Sequence, residues 1–203
     1  MIINEEKKCI FIRHQKTAST SIINGLKLTP VNGYHKTHEN LNKYIRSKTG
    51  KNYDGHHVPL FELKNVYPEV YENKSDYFKF GFTRNPWDRL VSAWKFAFEA
   101  GRIKKYGEVP FYKFIKEHTN AWLGVEMNTL DFCDGCDFIG KFKNLQEDFN
   151  IVCDKIGIPK QKLPHENKTK HKHYTEYYDD ETRSIVAEKY AKDIEYFGYK
   201  FGE

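Results

Sequence analysis

A lysine in a loop between an apolar run and a row of hydroxyl residues can hold an anion. That pattern stands in Cys9-Ile-Phe-Ile-Arg-His-Gln-Lys-Thr-Ala-Ser-Thr-Ser-Ile22. The apolar run predicts a strand, and Ile22, Ile23 and Leu26 predict a helix after the turn. The first amides of that helix lack intrahelical partners and carry the positive dipole end. Gln15, Lys16, Thr17, Ala18, Ser19, Thr20 and Ser21 are therefore candidate anion ligands, and phosphate is the commonest anion at such a place. A basic surface loop with a Ser/Thr cap is the competing reading, since the glycines of a Walker loop are missing. A second group follows at Phe82-Thr-Arg84-Asn-Pro-Trp-Asp-Arg-Leu-Val-Ser92, where Arg84 ends an apolar run and Ser92 lies on the next helix. Arg84 could clamp a second anion or form a structural ion pair; Ser92 could assist it or face solvent. His56 and His57, between Gly55 and Val58-Pro59, offer an imidazole that titrates near neutrality or a pair of solvent-facing loop histidines. Lys160 to His173 is rich in Lys and His and reads first as a solvated loop.

The elements that must position these groups are legible from periodicity. Phe78, Phe80 and Phe82 alternate, which predicts a strand within 76–83. Asn85 is an N-cap candidate with Pro86 at the first helical position, and Trp87, Leu90, Val91, Trp94 and Phe98 form one apolar stripe. Arg89 and Ser92 fall off its centre. A strand is expected over 137–142 and an amphipathic helix over Leu145 to Ile156, stopped by Gly157 and Pro159. Shorter helices are expected at Asn40–Arg46, around Leu60, Leu63 and Val66, and over 111–117, with 120–136 irregular. Asp179 is expected to cap a helix reaching Tyr190, followed by an apolar tail of Ile194, Phe197, Tyr199 and Phe201 that docks on the core. Strand–loop–helix units in series imply one α/β domain over 1–203 with a short central parallel sheet flanked by helices, in three layers, with ligands at the carboxyl ends of the strands.

Composition narrows the class. The chain has 203 residues, a net charge of +5 and 16% aromatic residues, which suits one domain with an aromatic core and, weakly, an anionic ligand. No apolar run approaches the ~18 residues of a membrane span. Asn4-Glu-Glu-Lys-Lys8 interrupts any signal-peptide core. A soluble, cytoplasmic protein is the expectation. Cys133-Asp-Gly-Cys136 has the spacing of a zinc or redox pair, but no second pair completes a four-ligand site, so no metal is expected. Cys9 and Cys153 sit in apolar settings and read as buried small hydrophobes.

Taken together and in this order, the two anion motifs resemble those of sulfotransferases. The loop Gln15 to Ser21 resembles their 5′-phosphosulfate-binding loop. Arg84-Asn-Pro-Trp-Asp-Arg-Leu-Val-Ser92 resembles their 3′-phosphate motif. Phe138-Ile-Gly-x-Phe-x-Asn-Leu-x-x-Asp-Phe149, Leu163-Pro-His-x-Asn167 and Asp193-Ile-x-x-Phe-Gly-Tyr199 look like the carbohydrate sulfotransferase branch that includes heparan sulfate 2-O- and chondroitin sulfotransferases. The likeness runs over most of residues 9–201. It departs at Ala18-Ser19, where many members carry Gly-Gly, and at Lys143, where the pattern usually has Glu.

The resemblance implies a P-loop-like three-layer fold and 3′-phosphoadenosine-5′-phosphosulfate (PAPS) as donor. It further implies in-line sulfuryl transfer to a hydroxyl, most readily of a glycan, with neither a metal nor nucleic acid involved. Lys16 would stabilise the bridging oxygen, and Gln15 to Ser21 would hold the 5′ group. Arg84 and Ser92 would hold the 3′-phosphate. His57 would be the base, with His56 as alternate, and Lys168, Thr169 and Lys170 would close over the nucleotide. Two other classes stay open: a P-loop nucleotide kinase, which needs glycines before Lys16 and acidic Mg²⁺ ligands, and a non-catalytic nucleotide-binding module.

Overall fold

Four short strands pair into one sheet, and the two central ones are apolar and buried almost throughout. A computed structural model of the protein describes residues 1–28, 46–48, 50, 57–99, 109–118, 126–164 and 172–203. The sheet order is β1-β2-β3-β4: β1 (Ile2–Asn4), β2 (Cys9–Ile12), β3 (Phe78–Thr83) and β4 (Phe138–Lys141). β2, β3 and β4 run parallel, with Ile12 opposite Gly81 and Phe80 opposite Phe138. The strands expected near 9–12, 76–83 and 137–142 are thus neighbours in one parallel sheet. β1 is an addition: it pairs antiparallel with β2 through a turn in which Asn4 Oδ1 accepts the Lys7 amide at 2.7 Å.

Side-chain alternation along the strands builds a core on each face. Ile3, Ile10 and Ile12 meet α2 (Leu60–Val66) through Leu60 and Leu63, together with Phe132 and Cys133; α3 (Pro68–Glu72) packs beside them through Val70 and Tyr71. Phe11, Phe80 and Phe82 meet α1 (Ser19–Leu26) through Ile22 and Leu26, and α7 (Leu145–Lys155) through Phe149, Val152 and Cys153. That is the expected three-layer α/β arrangement. α4 (Pro86–Glu99) begins a third cluster, in which Trp87, Leu90 and Val91 pack on α5 (Phe111–Lys113), on the π-helical turn Phe114–His118 that continues it, and on α8 (Asp180–Lys189). Both predicted caps form: Asn85 Oδ1 accepts the Trp87 amide at 3.1 Å, and Asp179 with Thr182 makes a capping box. Residues 120–136 are not wholly irregular, because α6 (Thr129–Phe132) stands within them; it is one turn long, too short to show a period. α9 (Ala191–Phe197) and the tail dock as expected, with Phe201 edge-on to Trp87 at 5.5 Å. The helix candidate Asn40–Arg46 lies outside the described residues apart from Arg46.

Helix α7 lies close enough to β4 that only glycine fits between it and β3. A Cβ on Gly140 would stand 2.5 Å from the ring of Phe82 and 3.0 Å from Asp148 Cβ. Phe82 is fully buried and cannot swing away. Gly140→Ala is expected to destabilise the fold by about 1–3 kcal/mol, the usual cost of overpacking. Urea denaturation measures it, and a loss within about 0.3 kcal/mol would mean that the ring does move.

Candidate functional site

The loops that leave β2, β3 and β4 meet at one edge of the sheet, since parallel pairing puts all three carboxyl ends on the same side. The first loop begins with His14, whose amide bonds back to Ile12 O at 3.1 Å. Thr17 Oγ1 donates to His14 O at 2.8 Å and closes the turn. Lys16 and Ala18 both adopt left-handed backbone, φ 63° and 64°, with Thr17 between them outside that region. Alternation of this kind turns successive amides toward one concave side, a nest for an anion. Ala18 is the N-cap of α1, and it has no side chain with which to cap. The Ser/Thr cap of the competing reading is therefore absent. The first amides of α1 are left for another acceptor; the first intrahelical bond back to the cap runs from Ile22 N to Ala18 O. Gln15 is buried, and its side-chain amide nitrogen has no hydrogen-bond partner among the described residues. A buried orphan donor beside a nest and a helix start fits a group rich in acceptor oxygens.

Left-handed backbone strains Ala18, where glycine would not be strained. Relief of roughly 1–2 kcal/mol is offset by the added freedom of glycine in the unfolded chain. Ala18→Gly is expected to stabilise the protein by about 0.5–1 kcal/mol in chemical denaturation. A destabilised variant would show that the Ala18 methyl makes a packing contact that outweighs the strain.

Arg84 leaves the end of β3 and joins the second loop to the first. Its Nη1 donates to Lys16 O at 3.3 Å. Its Nε and Nη2 donate to Asp88 Oδ2 and Oδ1 at 2.6 and 2.9 Å, a bidentate pair one helical turn apart. The structural ion pair weighed from the sequence is therefore present. It does not exhaust the guanidinium. Five N–H groups less three bonds leave one on each terminal nitrogen, the end-on fork that matches a phosphate. Asp88 fixes the direction of that fork. The plane also lies over Phe142, just past β4, with Cζ 4.2 Å from the ring centroid. Ser92 follows Asp88 by one turn on the same face and is buried rather than on the surface. Phe96, one turn further, lies under the Lys16 ammonium, which stands 4.0 Å from its ring centroid. Lys143, in the place where the resemblance expects Glu, pairs with Glu203 at 3.0 Å.

His57 reaches the same edge from α2's approach segment, 44 residues away in the chain, where its Nδ1 lies 2.7 Å from Arg13 O. A carbonyl only accepts, so Nδ1 carries the hydrogen, and in the neutral ring Nε2 keeps the lone pair. His57 is thereby tied to the loop three positions before Lys16. His56, Lys168, Thr169 and Lys170 lie outside the described residues.

Beneath the loop runs a polar network that the apolar stripe of α4 does not reveal. Arg89 is fully buried. Its Nη1 lies 2.7 and 2.8 Å from the two ring nitrogens of His14, and its Nη2 donates to Met127 O at 3.2 Å. Arg89 only donates, so the His14 ring must offer it a lone pair. Thr129 Oγ1 meets His14 Nδ1 at 3.0 Å, and the Thr129 amide donates to the buried carboxylate of Asp193 at 2.7 Å. Burial pushes the Tyr190 hydroxyl up to about 12, with Arg89 acting against the rise. The sequence signal for Arg89 was its place between the stripe and Arg84; a helix covered on two sides buries such a flank.

Cys9, Cys133, Cys136 and Cys153 are all free thiols. Burial raises the Cys9 thiol to about 11, as suits an inert core residue. Among the described residues no cluster of three or more His, Cys, Asp or Glu side chains could hold a metal ion. No helix among them is long and apolar enough to cross a membrane.

Residues 1–200 match the model of the sulfotransferase family. Human carbohydrate sulfotransferase 9 is 30% identical over 167 residues, which cover 66% of this chain and 35% of that protein. Carbohydrate sulfotransferase 14 of Danio rerio is 26% identical over 189 residues, 71% of this chain and 50% of that one. An uncharacterized protein of Archaeoglobus fulgidus is 33% identical over 92 residues, 42% of this chain and 72% of its own length. The matches thus cover a third to a half of the two carbohydrate sulfotransferases. No solved structure matches.

Proposed function

Because this chain belongs to the sulfotransferase family, we propose that it transfers a sulfuryl group from PAPS to a hydroxyl of a carbohydrate. The observation that carries the reading is the bond from Arg84 Nη1 to Lys16 O, which joins the two anion motifs into one site although they lie 68 residues apart. A nucleotide with phosphates at both its 5′ and 3′ positions needs two such motifs side by side. The carbohydrate acceptor is proposed from the two relatives named as carbohydrate sulfotransferases.

The donor, when bound, supplies the sulfuryl group and leaves as adenosine 3′,5′-bisphosphate. In this reading the amides of the 16–18 nest and of the α1 start, with the side chains of Gln15, Ser19, Thr20 and Ser21, hold the 5′ group, while Thr17, its hydroxyl proton spent on His14 O, offers its amide alone. Lys16 sets its charge against the oxygen that gains electrons as the bond to sulfur breaks. Arg84 presents its remaining fork to the 3′-phosphate, beside Ser92. His57 Nε2 takes the proton of the acceptor hydroxyl, its ring held in that tautomer by Arg13 O. Lys168, Thr169 and Lys170 are proposed to close over the nucleotide.

The test is transfer of label from radiolabelled PAPS to a panel of glycans, tyrosine peptides and phenols. Label on glycans is expected. Label on phenols or peptides alone would remove the carbohydrate assignment. Binding of the bisphosphate without transfer to any acceptor would favour a binding module, and preference for ATP with Mg²⁺ would favour a kinase.

A further inference from the structure

We propose that Phe96 is a positioning residue that holds the Lys16 ammonium where it meets the donor's 5′-phosphate, an inference that rests on the assignment of Lys16 to the donor site. Phe96 falls four residues after Ser92 and eight after Asp88, so the three share one face of α4. Arg84, two residues before that helix, bonds the peptide oxygen of Lys16, and Phe96 lies 4.0 Å beneath its ammonium. The lysine is held at its backbone from one end of the helix face and at its charge from the other. That distance is well inside the reach of a cation–π contact, about 6 Å.

Phe96 does not read as a core phenylalanine. Its neighbours Trp94 and Phe98 pack against the cluster beneath α4, whereas Phe96 is only half-buried and belongs to none of the three apolar clusters of the described residues. An aromatic face is also the suitable chemistry for the place. A carboxylate beside Lys16 would neutralise the ammonium and repel a phosphate. A ring attracts the cation through its quadrupole without cancelling its charge. A long lysine chain loses much rotamer freedom when it is ordered, and a ring that orders it beforehand lowers that cost at binding.

A double-mutant cycle on the affinity for adenosine 3′,5′-bisphosphate tests this. Phe96→Leu keeps the apolar bulk and removes the π face; it is expected to weaken binding about three- to five-fold, and Phe96→Tyr is expected to restore it. In a Lys16→Met background, Phe96→Leu should change the affinity by less than about 1.5-fold. A purely structural role for Phe96 would cost the same factor in both backgrounds, and that outcome overturns the proposal. Proton NMR of the free protein gives an arm independent of nucleotide. The Lys16 side-chain resonances, assigned by their loss in Lys16→Met, should be shifted upfield by the ring and return in Phe96→Leu; no shift in the wild type overturns the proposal as well. A wild type that shows the shift but binds no bisphosphate overturns the donor-site reading itself, and with it this role.

Discussion

His57→Ala is expected to slow sulfuryl transfer by about 10²–10⁴-fold, the usual loss when a general base is removed, and to leave the affinity for adenosine 3′,5′-bisphosphate within about two-fold. The split follows from what the residue touches. Its Nδ1 is engaged by Arg13 O, so Nε2 is the nitrogen that can take a proton from an acceptor hydroxyl. That step does not involve the phosphates of the donor. The pH profile gives a second readout. A base works only when deprotonated, so the wild-type rate should fall as pH drops through the titration of the imidazole. The fall should vanish from the residual rate of the variant. Loss of nucleotide affinity in step with rate would mean that His57 serves only to brace the loop through Arg13. A full wild-type rate in His57→Ala would pass the role to His56.

Arg84→Ala is expected to weaken adenosine 3′,5′-bisphosphate by about 1.5–3 kcal/mol, roughly 10- to 150-fold, as for the loss of hydrogen bonds to a charged group. Adenosine 5′-phosphate should lose much less, because the fork acts only on a 3′-phosphate. Asp88 adds to the effect: without Arg84 its carboxylate stands unpaired beside the place of an anion. Arg84→Ala combined with Asp88→Asn should therefore recover part of the affinity. Arg84→Lys keeps the charge but not the fork, and is expected to recover little. Isothermal titration with both nucleotides measures the difference. An equal loss for the two ligands would mean that Arg84 acts by supporting the Lys16 loop alone.

The site depends on stability as well as on ligands. The nest at residues 16–18 is built from residues with side chains in left-handed backbone, Lys16 and Ala18, where glycine is the usual occupant. The turn holds because Thr17 bonds back to His14 O, and His14 is in turn fixed between Thr129, Arg89 and the ring of Phe132, with ring centroids 4.5 Å apart. The loop is thus shaped from below by buried groups that need not touch any substrate.

The sequence by itself determined the units whose signals are local. Alternating phenylalanines at 78, 80 and 82 specified β3. The stripe from Trp87 to Phe98 specified α4, and Asn85 and Asp179 specified helix starts, because each pattern is contained within a few residues of chain. Gln15 to Ser21, Arg84, Ser92 and His57 were likewise legible as residue types suited to one chemistry. β1 escaped, since three residues show no period. Only the tertiary structure decided how the groups meet. Whether Arg84 was paired could be weighed from its spacing to Asp88, but its bond to Lys16 O spans 68 residues. The tie from His57 to Arg13 O, the burial of Arg89 against His14, and Phe96 beneath Lys16 are of the same kind. Contacts like these are set by register: Ile12 lies opposite Gly81 in parallel pairing, which brings the ends of β2 and β3 side by side and lays the face of α4 along the loop. A periodic pattern reports which side of an element is buried, and it carries no record of what another element sets against it.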